Sequence, residues 1–466
     1  MVKTALFYLM IIGIVFAGDS FAQQRILTLK EALQTALNNY GAIKAKSHYV
    51  NASRASLEGT RREYLPDLNI SAQQDYGTIN GQSGPLYGFR GLSASSGGPP
   101  LQTQNWKSAF GALYLANIDW NVFSFGRIRE KIRLARTMLQ RDQIDLEQER
   151  FQHQVRVAAA YLNLLAAQRL TRSQQNNVER ASALRAVVVT RTKNGLNAGV
   201  DSSLANAEVS GAKIVLVNAR DFEQEQANEL ALLMGTAEQD FITDTVFLGR
   251  IPASINDSQP ITQNRHPLLQ YYQSLVSVSD VEAGYFQTFN YPTLSLFGII
   301  QGRGSGFGYN YGEQYPEAYT KKYLEGVKPN RSNYLTGIGL IWNLTTPLRT
   351  QQQVSSQKFI SAALKEEYQL ASQQLKNQLI LAEKKMINAL DNYREVPVQI
   401  KAAGDAYLQK SVLYKNGLTT IVEVTQALIA LNRAETDRDI TYNNVWQALL
   451  LKAAASGDFS LFMSSL

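Results

Sequence analysis

The chain has 466 residues, no cysteine and three histidines, with 46 Lys and Arg against 39 Asp and Glu for a net charge of +7. The lack of cysteine excludes disulfides, thiolate metal sites, thiol catalysis and an N-terminal lipidated cysteine. The positive balance does not point to nucleic acid, because Lys and Arg are dispersed between acids along helical stretches, as on a solvated face.

Residues 1–22 have the parts of a secretory signal: Lys3, an apolar stretch from Ala5 to Ala17, and small residues Ser20 and Ala22 before Gln23. That stretch is too short to span a bilayer, and nothing later approaches the length of a membrane helix. An exported chain without a helical anchor is periplasmic, secreted or a β-barrel of an outer membrane. Residues 23–63 start with a Thr28 to Glu31 capping box and apolar Leu29, Leu33, Ala36 and Leu37 at helical spacing, predicting one helix through Tyr40 and Gly41 to Arg62. Pro66 ends it, and residues 64–123 read as two strands joined by a Gly/Ser/Pro-rich loop from Gly77 to Asn105.

Residues 124–234 read as a helical hairpin: roughly seventy residues, or about 100 Å at the helical rise, then a turn at Gly195 and a shorter returning helix. Residues 235–263 form a polar, Pro-containing connector. The pattern then recurs, with a helix over 264–289, Pro292, a strand pair over 290–346 with a loop from Gly302 to Asn333, and a second hairpin over 347–455 turning at Gly417. Pro397 is expected to kink its long helix. The tail, 456–466, is expected to be disordered.

The recurrence is a tandem duplication. Lys193-Asn-Gly-Leu196 reappears as Lys415-Asn-Gly-Leu418, and each is followed by an acid six residues after the glycine, Asp201 or Glu423. The same offset joins Trp120 to Trp342 and Arg127 to Arg349. In both copies Asn-Gly interrupts a long helical pattern, as a hairpin tip does.

The four strand segments alternate with one apolar face: Leu68, Ile70 and Ala72; Phe110 to Val122; Leu294 to Ile300; Tyr334 to Leu344. A half-buried soluble sheet gives the same alternation as a lipid-facing barrel. Trp120 and Trp342 at matching strand ends, as in an interfacial aromatic girdle, and the long polar loops favour contact with outer-membrane lipid. Four strands cannot close a barrel, so a membrane location requires several chains to share one.

This order of elements, with Tyr64-Leu-Pro-Asp-Leu68, Trp120-Asn-Val-Phe-Ser-Phe-Gly-Arg127, Asn264-Arg-His-Pro-Leu268 and Gly417-Leu-Thr-Thr-Ile-Val-Glu-Val-Thr-Gln-Ala427, resembles the TolC-like outer membrane efflux family, the outer membrane factors. The resemblance implies a mainly α fold with a small membrane β part. It implies a homotrimer whose twelve-stranded β-barrel continues as an α-helical barrel through the periplasm. Its partners would be a periplasmic adaptor (membrane fusion) protein and an inner-membrane transporter, proton-driven or ATP-driven, in multidrug efflux or type I secretion. By the same resemblance the pore constriction falls on Glu423 and Gln426, where the second acidic ring is lost. The tip latch falls on Tyr414, Asp201 and Thr419, the last standing where the family has Arg. Three converging Glu423 carboxylates would raise one another's pKa and attract cations, and Tyr414 and Asp201 would share a hydrogen bond.

Asp201 and Glu423 also fit a plainer role, as acids in the first turns of the returning helices, and Tyr414 a packing role. His48, His153 and His266 lack metal-ligand spacing. Gly302-Arg-Gly-Ser-Gly-Phe-Gly308 lacks a nucleotide-binding spacing and reads as loop. No nucleophile elbow, P-loop or supported acid pair appears, so neither an enzyme nor a cofactor is expected. The leading reading is a passive outer-membrane export channel with a long periplasmic extension, gated at its periplasmic tip; the alternative is a periplasmic structural or adhesive coiled-coil protein without a pore.

Overall fold

The computed structural model describes residues 26–81, 101–237, 241–244, 247, 251–252 and 265–465. The signal expected over 1–22 and most of the connector expected over 235–263 lie outside the described residues. The elements in order are β1 (Ile26–Leu27), α1 (Leu29–Asn39), α2 (Gly41–Arg62), β2 (Asp67–Thr78), β3 (Ser108–Phe123), α3 (Arg127–Lys193), α4 (Gly199–Met234) and β4 (Ile242–Thr243). They continue as α5 (Pro267–Gln287), β5 (Thr293–Ser305), α6 (Tyr323–Val327), β6 (Arg331–Ile341), α7 (Thr346–Lys415), α8 (Ile421–Ser456) and α9 (Ser460–Met463). Among the described residues no helix is long and apolar enough to cross a membrane.

The duplication is visible in the helix ends. α4 and α8 each have 36 residues. Both end on a left-handed glycine, Gly235 (φ 65°) and Gly457 (φ 74°), separated by the same offset as Lys193 and Lys415. At the tips Gly195 (φ 71°) and Gly417 (φ 76°) adopt the same conformation. Leu196 N–H donates to the Arg191 carbonyl and Leu418 N–H to the Leu413 carbonyl, each at 2.9 Å. This six-to-one bond is a Schellman cap, which needs a left-handed residue that only glycine adopts without strain.

The chain divides into two units. One comprises Ser53–Leu139 and Ser277–Ser361. It holds an antiparallel sheet in the order β2-β3-β5-β6. Register places Leu68 opposite Ile118, Ile70 opposite Ala116, Ile118 opposite Gly298, Trp120 opposite Leu296 and Leu296 opposite Ile338, so the apolar positions of all four strands share one face. Over most of its length that face is uncovered, with Ile70 82 % and Ile338 69 % exposed, while at the loop end α6 covers Phe110 and Ala112.

The two tryptophans tie the sheet to its helices in the same way in each half. Trp120 Nε1 donates to the Tyr64 carbonyl at 2.8 Å and Trp342 Nε1 to the Asn290 carbonyl at 3.1 Å, each carbonyl lying two residues before the proline that starts the strand. Trp342 itself stands just past β6 rather than inside it, as does Leu344. The glycine-rich stretch expected as loop continues β5 to Ser305, and β6 begins earlier, at Arg331. The glycines are needed because the segment after β5 crosses back over the strands: a Cβ on Gly304 would stand 2.6 Å from the Gly326 carbonyl oxygen.

The other unit comprises residues up to Ala52, Gln140–Val276 and Ala362–Leu466. The single helix expected from Leu29 to Arg62 is broken at Tyr40, whose ψ of 124° ends α1 before Gly41 starts α2. The break lets Tyr40 stack on the fully buried His153, with ring centroids 3.8 Å apart. α1 packs through Leu29, Ala32, Leu33 and Ala36 into a core with Val157 to Leu165 of α3, Leu230 of α4, Met386 of α7 and Trp446 of α8. At its centre Tyr161 Oη donates to the Leu27 carbonyl at 2.8 Å and accepts from Asp244 N–H at 3.0 Å, joining the paired strands β1 and β4. Burial pushes this phenol up to about 12, so it stays a donor at any physiological pH.

His266 Nδ1 accepts from Leu268 N–H at 3.1 Å while its Nε2 faces the Ala454 carbonyl at 3.1 Å, which fixes the neutral ring and caps α5 against the end of α8. Burial lowers the pKa of both His153 and His266.

The tail is ordered, contrary to expectation, because Phe462 of α9 is fully buried against Trp446 with centroids 6.0 Å apart. Phe462→Ala is expected to destabilise the protein by about 3–5 kcal/mol, read as a lowered denaturant midpoint. A midpoint equal to that of the parent chain would show that the tail contributes no packing.

Candidate functional site

The residues singled out by sequence gather where the two hairpin tips meet. Val188 of α3, Ala205 of α4, Tyr414 of α7, and Ile421 and Val424 of α8 form a buried cluster that brings all four helices together. Tyr414, 3 % exposed, points its hydroxyl out of this cluster toward the first tip.

The hydroxyl does not reach Asp201, so the direct bond expected between them is absent. Asn197 stands between: its Nδ2 donates to Asp201 Oδ2 at 2.7 Å and to Tyr414 Oη at 3.0 Å. Asn197 Oδ1 in turn accepts from Arg191 Nε at 2.9 Å. The Arg191 guanidinium continues across to the second tip, where Nη1 donates to the Lys415 carbonyl at 2.9 Å and the charge lies 5.5 Å from the centroid of the Tyr414 ring. A cation on the terminal carbonyl of α7 also meets the negative end of that helix dipole. Burial, and secondarily the Asp201 charge, pushes the Tyr414 phenol up.

Thr419, at the position expected to be a latch residue, lies beside the Glu423 carboxylate and takes no part in the network around Asn197. The two residues that sequence reasoning missed are Arg191 and Asn197. Both were detectable as departures from the repeat: Leu413 stands where Arg191 has its counterpart, and Thr419 where Asn197 has its own.

Glu423 occupies the third position of α8, where its backbone N–H is capped by Thr420 Oγ1 at 3.4 Å. Its carboxylate is paired with Lys410 of α7. Within the chain, Lys410 therefore holds the Glu423 carboxyl below its usual range, the opposite of the direction expected for converging carboxylates. Gln426 is exposed three residues further along α8.

Between the tip cluster and the main core, polar pairs flank a second buried cluster of Val178, Ala181, Val209, Ala212, Leu216 and Leu428. Arg180 grips Glu435 through Nη1 and Nη2, the longer bond at 2.9 Å, and Gln174 bonds Thr436 at 3.4 Å and Asn432 at 3.2 Å. Among the described residues no group of His, Asp and Glu is arranged to hold a metal.

Removing Asn197 takes away three hydrogen bonds, two of them to charged groups. Asn197→Ala is expected to speed chymotryptic cleavage after Leu196 and Leu418 by about tenfold or more, since cleavage of a native turn follows the population of its opened state. Cleavage at the parental rate would show that the network does not hold the tips.

Comparison with known proteins bears on what the arrangement serves. Residues 32–236 match the family model described as "Outer membrane efflux protein", a span that runs from α1 to the glycine ending α4 and so takes in one full copy of the repeat. No curated protein is a significant match to the sequence. Among solved structures, the outer-membrane channel OprN superposes with a TM-score of 0.71 at 16 % identity, covering 92 % of this chain and 89 % of that one. CusC gives 0.72 at 14 % identity, covering 92 % of each chain. The Campylobacter jejuni CmeC outer membrane channel gives 0.71 at 14 % identity, covering 92 % of this chain and 85 % of that one. Residues 32–236 thus match the outer membrane efflux protein family, and 92 % of the chain shares the fold of these outer-membrane channels.

Proposed function

We propose that this protein is a passive export duct of the outer membrane, formed when three copies close their sheets into one twelve-stranded β-barrel continued by an α-helical barrel in the periplasm. The observation that carries this reading is a sheet with one uncovered apolar face and two unpaired edges. β2 is exposed along all 12 residues and β6 nearly so along its 11. A free edge of that length beside an apolar face is a template for pairing, and in a bilayer it must be paired. A pore-less coiled-coil protein accounts for the hairpins but leaves that apolar face in water.

In this reading cargo arrives from an inner-membrane transporter, proton-driven or ATP-driven, through a periplasmic adaptor that grips the tips. The Arg191, Asn197, Tyr414 and Asp201 network holds the resting tip, and Glu423 and Gln426 line its constriction. Because each Glu423 brings its own Lys410, the constriction carries less net negative charge than a bare carboxylate ring.

The absence of cysteine allows the closure to be tested by introduced pairs. A Cys at Leu68, Ile70 or Ala72 of β2 combined with one at Tyr334, Thr336 or Ile338 of β6 cannot bridge within a chain, since β3 and β5 intervene and the span is about 14 Å. At least one such pair is expected to give a ladder of crosslinked chains ending at three in detergent-solubilised membranes. Only monomers for all the pairs, with protein extracted without detergent, would contradict the reading.

A further inference from the structure

The face of the sheet opposite the apolar one is charged in an uneven way. On it, Arg303 of β5 lies directly opposite Arg331 of β6, at the end where the 306–330 segment begins and ends. At the other end Asp67 of β2 lies directly opposite Asp119 of β3. Like charges facing each other across antiparallel strands cost stability, so two such pairs of opposite sign on one face need a reason.

The arginine pair is not neutralised by its surroundings. Both residues are exposed, and among the described residues neither guanidinium forms an ion pair. They line a concave cavity of about 920 Å³ with Gln301, Ser305, Asn333 and a single carboxylate, Asp75. That carboxylate accepts from Gln73 Nε2 at 2.9 Å. The cavity therefore sets two fixed cations and one anion among neutral hydrogen-bonding groups and apolar side chains such as Leu113 and Phe307, and both guanidinium groups are open to water.

We infer that Arg303 and Arg331 form an anion-selecting site at the loop end of the pore, which attracts small anions and the carboxylate or phosphate groups of anionic cargo. The inference rests on the channel reading, which makes this polar face the lumen wall. Each copy then contributes two guanidinium groups to one cross-section, and rings of fixed charge set which permeant ions are enriched there. The Asp67 and Asp119 pair gives the opposite sign at the helix end, so the lumen is polarised along its length.

The test is the reversal potential of the purified protein in planar bilayers under a potassium chloride gradient. Arg303→Gln with Arg331→Gln is expected to lower the ratio of chloride to potassium permeability by about two- to fivefold, whereas Arg303→Lys with Arg331→Lys keeps the parental ratio. Exposed substitutions of this kind leave folding nearly unchanged, and the β2 to β6 crosslink gives an independent check that the variants assemble. Conductance with the same permeability ratio in the Gln variant overturns the site, as does an equal shift in the Lys variant. Protein that assembles but conducts neither in the parental form nor with the tip network released by Asn197→Ala would instead overturn the channel reading.

Discussion

Backbone groups at the edge of a sheet must be paired wherever water cannot reach them, and hydrocarbon offers no partner. This chain builds two such edges, β2 and β6, and leaves the apolar side chains of all four strands on one face that is uncovered except at its loop end. A soluble sheet of this size would cover that face with a helix. Here the helices attach at the strand ends, where Trp120 and Trp342 bond the carbonyls preceding the two prolines. In hydrocarbon the sheet is stable as an open strip only if something continues it on both sides, and an identical strip is the simplest continuation because β2 and β6 run in opposite directions and can pair antiparallel between copies.

The helical hairpins meet the opposite requirement, with their C-terminal ends capped inside the chain. The long helices end on glycine caps at Gly195 and Gly417, and the returning ones on Gly235 and Gly457. The last carbonyl of α7 is taken by Arg191 from the other hairpin. Duplication supplies the frame twice, and the contacts between the tips arise where the copies differ. Arg191, Asn197 and Tyr414 each stand opposite a residue of different chemistry in the other half, Leu413, Thr419 and Thr192. Two identical tips could cap themselves but could not clasp each other.

Much of this was legible in the sequence, because it is written in periodicity and in punctuation. The turn glycines, the proline-marked strand starts and the alternating apolar positions located the elements. The break at Tyr40 was not legible, since Asn-Asn-Tyr-Gly sits in an otherwise helical pattern and only the buried stack of Tyr40 on His153 selects the kink. The order of the tail depends on Phe462 finding Trp446, a contact that local sequence does not encode. At the tip, the resemblance pointed to Tyr414 and Asp201 but assumed they touch. That Asn197 stands between them, and that Arg191 reaches from it to the Lys415 carbonyl, follows from the packing of four helices. The pairing of Lys410 with Glu423 likewise crosses between helices that sequence reading had treated separately.

The central claim is that the edges of the sheet are joined to other copies of the chain. Amide hydrogen exchange of the detergent-solubilised full-length protein reads this strand by strand. The account predicts that the outward-directed amides of β2 and β6 are protected as strongly as those of the interior strands β3 and β5. Edge amides that exchange rapidly beside protected β3 and β5 would show a sheet with free margins, and would contradict it.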